Sequence, residues 1–85
     1  MKLKLDLYGA FRQLGVNNFI LEVPENSTVG GLRQIVKEHI KDNNAQISEQ
    51  LIQMSVFATD ESVLKDNDEL ENIQSLSLLP PVCGG

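Results

Sequence analysis

Apolar and polar residues alternate strictly from Lys2 to Tyr8, with Leu3, Leu5 and Leu7 on one side and Lys2, Lys4, Asp6 and Tyr8 on the other. A period of two marks a strand buried on one face. Gly9 to Val16 carries two glycines and reads as a loop with Phe11 and Leu14 tucked beneath it. Asn17-Asn18 supplies turn chemistry, after which Phe19, Leu21 and Val23 face one side until Pro24 stops the pattern. A two-stranded hairpin is therefore expected to open the domain.

The period then changes. Ser27 and Thr28 both suit a helix N-cap. Val29, Leu32, Ile35, Val36 and Ile40 recur at helical spacing, which leaves Arg33, Gln34, Lys37, Glu38 and Lys41 for water. Lys37, His39 and Lys41 complement the negative end of the helix dipole, and residues 42–44 end the helix. Gly30-Gly31 in the first turn costs roughly 1 kcal/mol per glycine relative to alanine, and close packing against the sheet would account for it. Ile47 and Leu51 mark a short helical turn. Met54, Val56 and Ala58 alternate as the inward side of a third strand. Val63-Leu64 reads as a short strand, and Ser75 to Leu79 as a last one with Leu76 and Leu78 inward. One long helix covers only one face of such a sheet. The pattern predicts an α+β fold, one main helix packed on a mixed four- to five-stranded sheet.

Composition narrows the function. At 85 residues the chain is one small domain with a largely aliphatic core, since only 5% of it is aromatic. No apolar run approaches the roughly 20 residues of a membrane helix, and the alternating start is unlike a signal peptide. A cytoplasmic protein without a membrane partner is expected. Seven basic against twelve acidic residues give a net charge of −5, which repels phosphate backbones and favours a basic partner protein over nucleic acid. The single cysteine, Cys83, excludes a disulfide framework and a cysteine-clustered metal site.

Self-sufficient chemistry is not visible. His39 stands on the helix without a carboxylate or cysteine at ligand spacing and reads as a solvated, helix-end histidine. Asp60, Glu61, Asp66, Asp68, Glu69 and Glu71 lack the spacing of a calcium loop and read as a solvated or partner-facing segment. No metal and no stably bound cofactor are expected. The end of the chain is different. A strand runs straight into Pro80-Pro81, which hold the backbone extended, and Val82-Cys83-Gly84-Gly85 follows. Two residues without side chains can pass a channel too narrow for any β-carbon and deliver a terminal carboxylate into another protein's active site. The chain thus divides into a domain over 1–79 and a tail over 80–85. A carboxylate is a poor acyl donor; adenylation makes it a mixed anhydride that sulfur or an amine can attack.

The segment Leu78-Leu79-Pro80-Pro81-Val82-Cys83-Gly84-Gly85 closely resembles the tail of the MoaD-type sulfur carriers, the small subunits of molybdopterin synthase. Leu7-Tyr8-Gly9-Ala10-Phe11-Arg12-Gln13-Leu14-Gly15 is similar to that family's strand-and-loop segment, and Thr28-Val29-Gly30-Gly31-Leu32 to its helix opening. Val56 to Asp68 has the length of its next characteristic stretch. Cys83 replaces a usual small residue, Gln13 a glutamate, and the segment before the last strand is a few residues longer. The resemblance implies a ubiquitin-like β-grasp with an extended, flexible C-terminal tail.

It also implies a cycle. A ubiquitin-activating-like adenylyltransferase uses ATP to adenylate the carboxylate of Gly85, and a sulfurtransferase system converts it to a thiocarboxylate. The tail, with Gly84 beside the reacting residue, then enters the large synthase subunit in a heterotetramer and gives its sulfur to precursor Z. The carrier would be no enzyme on its own. Tyr8, Arg12, Phe57, Leu79, Pro80, Pro81, Val82 and Cys83 are the expected partner contacts. Of these, Tyr8, Phe57 and Leu79, with Ile20, belong by parity to the sheet face away from the helix. Two other readings share the terminus: a sulfur carrier for thiamine, cysteine or tRNA thiolation, and a ubiquitin-like protein modifier.

Overall fold

The structure, a computed structural model, describes residues 1–43 and 47–81. Strand β1 (Lys2–Leu7) pairs antiparallel with β2 (Asn18–Glu22), with Leu3 opposite Leu21 and Leu5 opposite Phe19. The two are joined not by a tight turn but by a 3-10 helix over Gly9–Leu14, which drives Phe11 into the core and is closed by Gly15 at φ 84°. Helix α1 (Val29–Asn43) follows, then the short α2 (Glu49–Met54), β3 (Val56–Ala58), β4 (Val63–Leu64) and β5 (Ser75–Leu79). The strand order is β2-β1-β5-β3-β4. Strand β5 lies in the middle, parallel to β1 and antiparallel to β3. The predicted α+β arrangement of one main helix on a mixed sheet is what the chain adopts, with five strands.

The alternation of β1 and β5 is realised directly: Leu3, Leu5, Leu7, Leu76 and Leu78 are buried and meet Val29, Leu32, Val36 and Ile40 in one core. Each such side chain contributes roughly 1.5–3 kcal/mol on leaving water. Thr28 caps α1, its Oγ1 accepting from the Gly31 N–H at 3.2 Å.

The acidic segment before β5 is not simply solvated. Its backbone docks on the start of α1: Val29 N donates to Asp68 O and Gly30 N to Asp66 O, both at 2.9 Å. Leu70 is fully buried, and its N–H donates to Ser27 O at 2.9 Å. Carbonyls thus satisfy orphan donors of the helix N-terminus. This loop, rather than the sheet, crowds Gly30, where a Cβ would come 3.3 Å from Asp66 O. His39 is also not in open water, for it is half-buried with its ring edge-on to Phe19, centroids 4.5 Å apart.

Candidate functional site

The site is built where β5 leaves the sheet. Because β5 is paired on both sides up to Leu78 and Leu79, the tail starts from the best-supported strand of the fold. Leu79, half-buried, sits opposite Val56, and Pro80 next to it lies over Gly9, the first residue of the 3-10 helix that follows β1. Tyr8, 40% exposed, flanks this root, with the Arg12 guanidinium 5.6 Å from its ring centre. Arg12 Nε donates to Leu7 O at 3.3 Å, which ties the 3-10 helix back to the strand end. Tyr8, Arg12, Leu79, Pro80 and Pro81 are therefore gathered at one corner. Val82, Cys83, Gly84 and Gly85 lie outside the described residues.

The sheet face turned away from α1 spreads from this corner. It carries Ile20 and Val63, each 63% exposed, and an open cleft of about 310 Å³ lined by Asp6, Thr59, Asp60, Glu61, Ser75 and Ser77. Across the face Lys4 Nζ stands 3.7 Å from Asp6 Oδ1. Among the described residues no group of three or more His, Cys, Asp and Glu is placed to hold a metal, and no helix is long and apolar enough to cross a membrane.

Phe57 does not belong to this face. It is fully buried, opposite Leu78 and Leu64, and looks toward α1. The expected parity of the third strand is thus reversed. Met54 closes α2 and is 55% exposed, so the strand begins only at Val56, and the largest side chain of the stretch takes the core position. Ala58 turns outward instead, opposite Val63 and Ser77.

Arg33, expected in water, is 6% exposed. One guanidinium nitrogen donates to Ile52 O at 2.8 Å, to Ser55 O at 2.7 Å and to Ser55 Oγ at 3.3 Å. The other donates to Asp66 Oδ1 at 2.7 Å. The group also stacks on Phe57 at 5.1 Å. It joins α1, the end of α2 and the acidic loop, and lies against the Phe57 ring of β3. The signal was in the sequence: Arg33 follows Val29 by four residues and precedes Val36 by three, on the apolar stripe itself. Ile35, assigned to that stripe, is only half-buried.

The ThiS family pattern matches residues 5–85. No curated protein sequence matches the chain. Among solved structures, a candidate molybdopterin converting factor, subunit 1, from Pyrococcus furiosus is similar with a TM-score of 0.73 at 23% identity, over 96% of this chain and 99% of that one. SAMP1 from Haloferax volcanii gives 0.69 at 19% identity over 100% of both chains. A ubiquitin from Caldiarchaeum subterraneum gives 0.66 at 24% identity, over 100% of this chain and 98% of that one. All three share the β-grasp arrangement.

Proposed function

Because the chain belongs to the ThiS family of ubiquitin-like β-grasp sulfur carriers, we propose that it carries sulfur as a thiocarboxylate on Gly85 and delivers it to molybdopterin synthesis. The observation that carries the reading is the diglycine sequence continuing from the central strand through Pro80-Pro81. The Gly85 carboxylate attacks the α-phosphorus of ATP in an adenylyltransferase, pyrophosphate leaves, and a sulfur nucleophile then displaces AMP. The domain supplies no acid or base to this; it presents the tail and is recognised. Its −5 charge and acidic cleft favour partners with basic surfaces, and the face bearing Ile20, Tyr8 and Leu79 supplies the apolar contact.

The choice of pathway is supported by the Pro-Pro pair before the diglycine and by the description of the Pyrococcus neighbour. The large subunit of a molybdopterin synthase, in a heterotetramer, is then the acceptor of the charged tail. The resemblance to SAMP1 and to a ubiquitin favours one rival, attachment of Gly85 to lysine amines. ATP–pyrophosphate exchange tests the shared first step. With the adenylyltransferase of the same organism, removing Gly85 or appending one residue after it should abolish exchange at an unchanged melting temperature. Exchange at the wild-type rate would overturn the proposal.

A further inference from the structure

Gly9 has φ +58°, a left-handed conformation that L side chains rarely adopt, and a Cβ built on it would lie 2.7 Å from Pro80 Cγ and 3.3 Å from Pro80 Cδ. Gly15, at φ +84°, has nothing within 4 Å of the same position. Gly15 is needed for its backbone angle alone, whereas Gly9 also leaves the space that the Pro80 ring fills. We propose that Gly9 is a positioning residue for the start of the tail: its bare α-carbon is the seat of Pro80, and the seat sets the direction in which Pro80 and Pro81 leave the sheet.

Neither side of this contact can yield cheaply. Just before Gly9, Leu7 is paired with Leu78, and its carbonyl is held by Arg12 Nε. Just after it, Phe11 is fully buried and its N–H donates to Tyr8 O at 3.2 Å. On the other side Leu79 is paired with Val56, and the Pro80 ring fixes its own φ and has no flexible end to swing away. A β-carbon at position 9 must therefore tilt Pro80. The reacting carboxylate is farther along the chain, so the partner would meet a misdirected tail. The consequence for transfer rests on Gly85 being the reactive residue, as proposed above; the seat itself does not.

The test is a cycle of Gly9→Ala, Pro80→Ala and the double variant, with two readouts. The first needs no partner: Gly9–Pro80 nuclear Overhauser contacts and Cα–Hα residual dipolar couplings at residues 80 and 81. In the wild type the contacts should be present and the residue-80 couplings should fit the alignment of the sheet. In Gly9→Ala the couplings at 80 and 81 should change while those of β1 and β5 stay. The second is kcat/KM for ATP–pyrophosphate exchange, expected to fall roughly 10- to 100-fold in Gly9→Ala. In the Pro80→Ala background the same change should matter less than about twofold, because alanine at position 80 retains only the Cβ, 3.9 Å from the added atom. An equal penalty in both backgrounds would show backbone strain alone and would overturn the seat, as would absent contacts in the wild type. Gly9→Asn, which tolerates positive φ but still carries a Cβ, replaces Gly9→Ala if that variant does not fold. If the wild type supports no exchange, the carrier reading falls while the couplings still judge the seat.

Discussion

At the scale of single residues, Arg33 concentrates more of the architecture than any other polar side chain described. Its guanidinium meets two carbonyls of the α2 end, the Ser55 hydroxyl and the Asp66 carboxylate, while its buried Nε has no hydrogen-bond partner. Stacking on Phe57 offsets part of that cost. A lysine keeps the charge but cannot reach these acceptors in the same planar fork. Arg33→Lys should lower unfolding stability by roughly 2–4 kcal/mol, read from urea midpoints, through carbonyls left buried and unpaired. A loss below about 0.5 kcal/mol would contradict this role. Asp66→Asn should cost at most about 1 kcal/mol, since the Asp66 side chain is 57% exposed. The paired glycines of α1 separate in the same way. Gly31 has only Thr28 Oγ1, at 3.8 Å, near its missing Cβ, so Gly31→Ala should stabilise by about 0.5–1 kcal/mol. Gly30→Ala should destabilise, because Asp66 O stands at 3.3 Å and is held there by the Gly30 N–H. Thermal melts of both variants decide the pair.

At the scale of elements, what the sequence made legible follows from how one-sided each pattern is. Strands β1 and β5 have leucine on one parity and polar or small residues on most of the other, and both were readable to the residue. The third strand has apolar residues on both parities, Met54, Val56 and Ala58 against Phe57, so alternation could not choose its face. The choice is made by contacts distant in sequence: Arg33 anchors Ser55, and Leu78 and Leu64 flank Phe57. The acidic segment hid its structural use because backbone carbonyls, which carry no sequence signal, do the capping. This reversal redirects the surface test. Phe57→Ala should cost roughly 3–5 kcal/mol and speaks only of the core. Ile20→Asp, on the outer face, should shift the melting temperature by less than about 4 °C yet weaken binding to the proposed partner, a large synthase subunit, tenfold or more. Unchanged affinity, by calorimetry, would remove that face from the interface.

At the scale of the whole molecule, the fold places Pro80 at the end of the central strand, over Gly9 and near Tyr8 and Arg12, on a sheet with one face covered by α1. The end of the last strand was legible, since Pro80 fixes its own φ and has no N–H to continue the ladder beyond Leu79. The seat beneath Pro80 was not, because it depends on the parallel pairing of the first and last strands, which no local pattern reveals. Everything functional then converges on one chemical claim, that Gly85 carries sulfur. It is tested most directly by the intact mass of the chain isolated from its own cells, with fragmentation to locate the change. The account predicts a fraction heavier by the exchange of one oxygen for one sulfur, placed on Gly85 and lost from cells without the adenylyltransferase. A terminal carboxylate throughout, or added sulfur found only as a persulfide on Cys83, would contradict it.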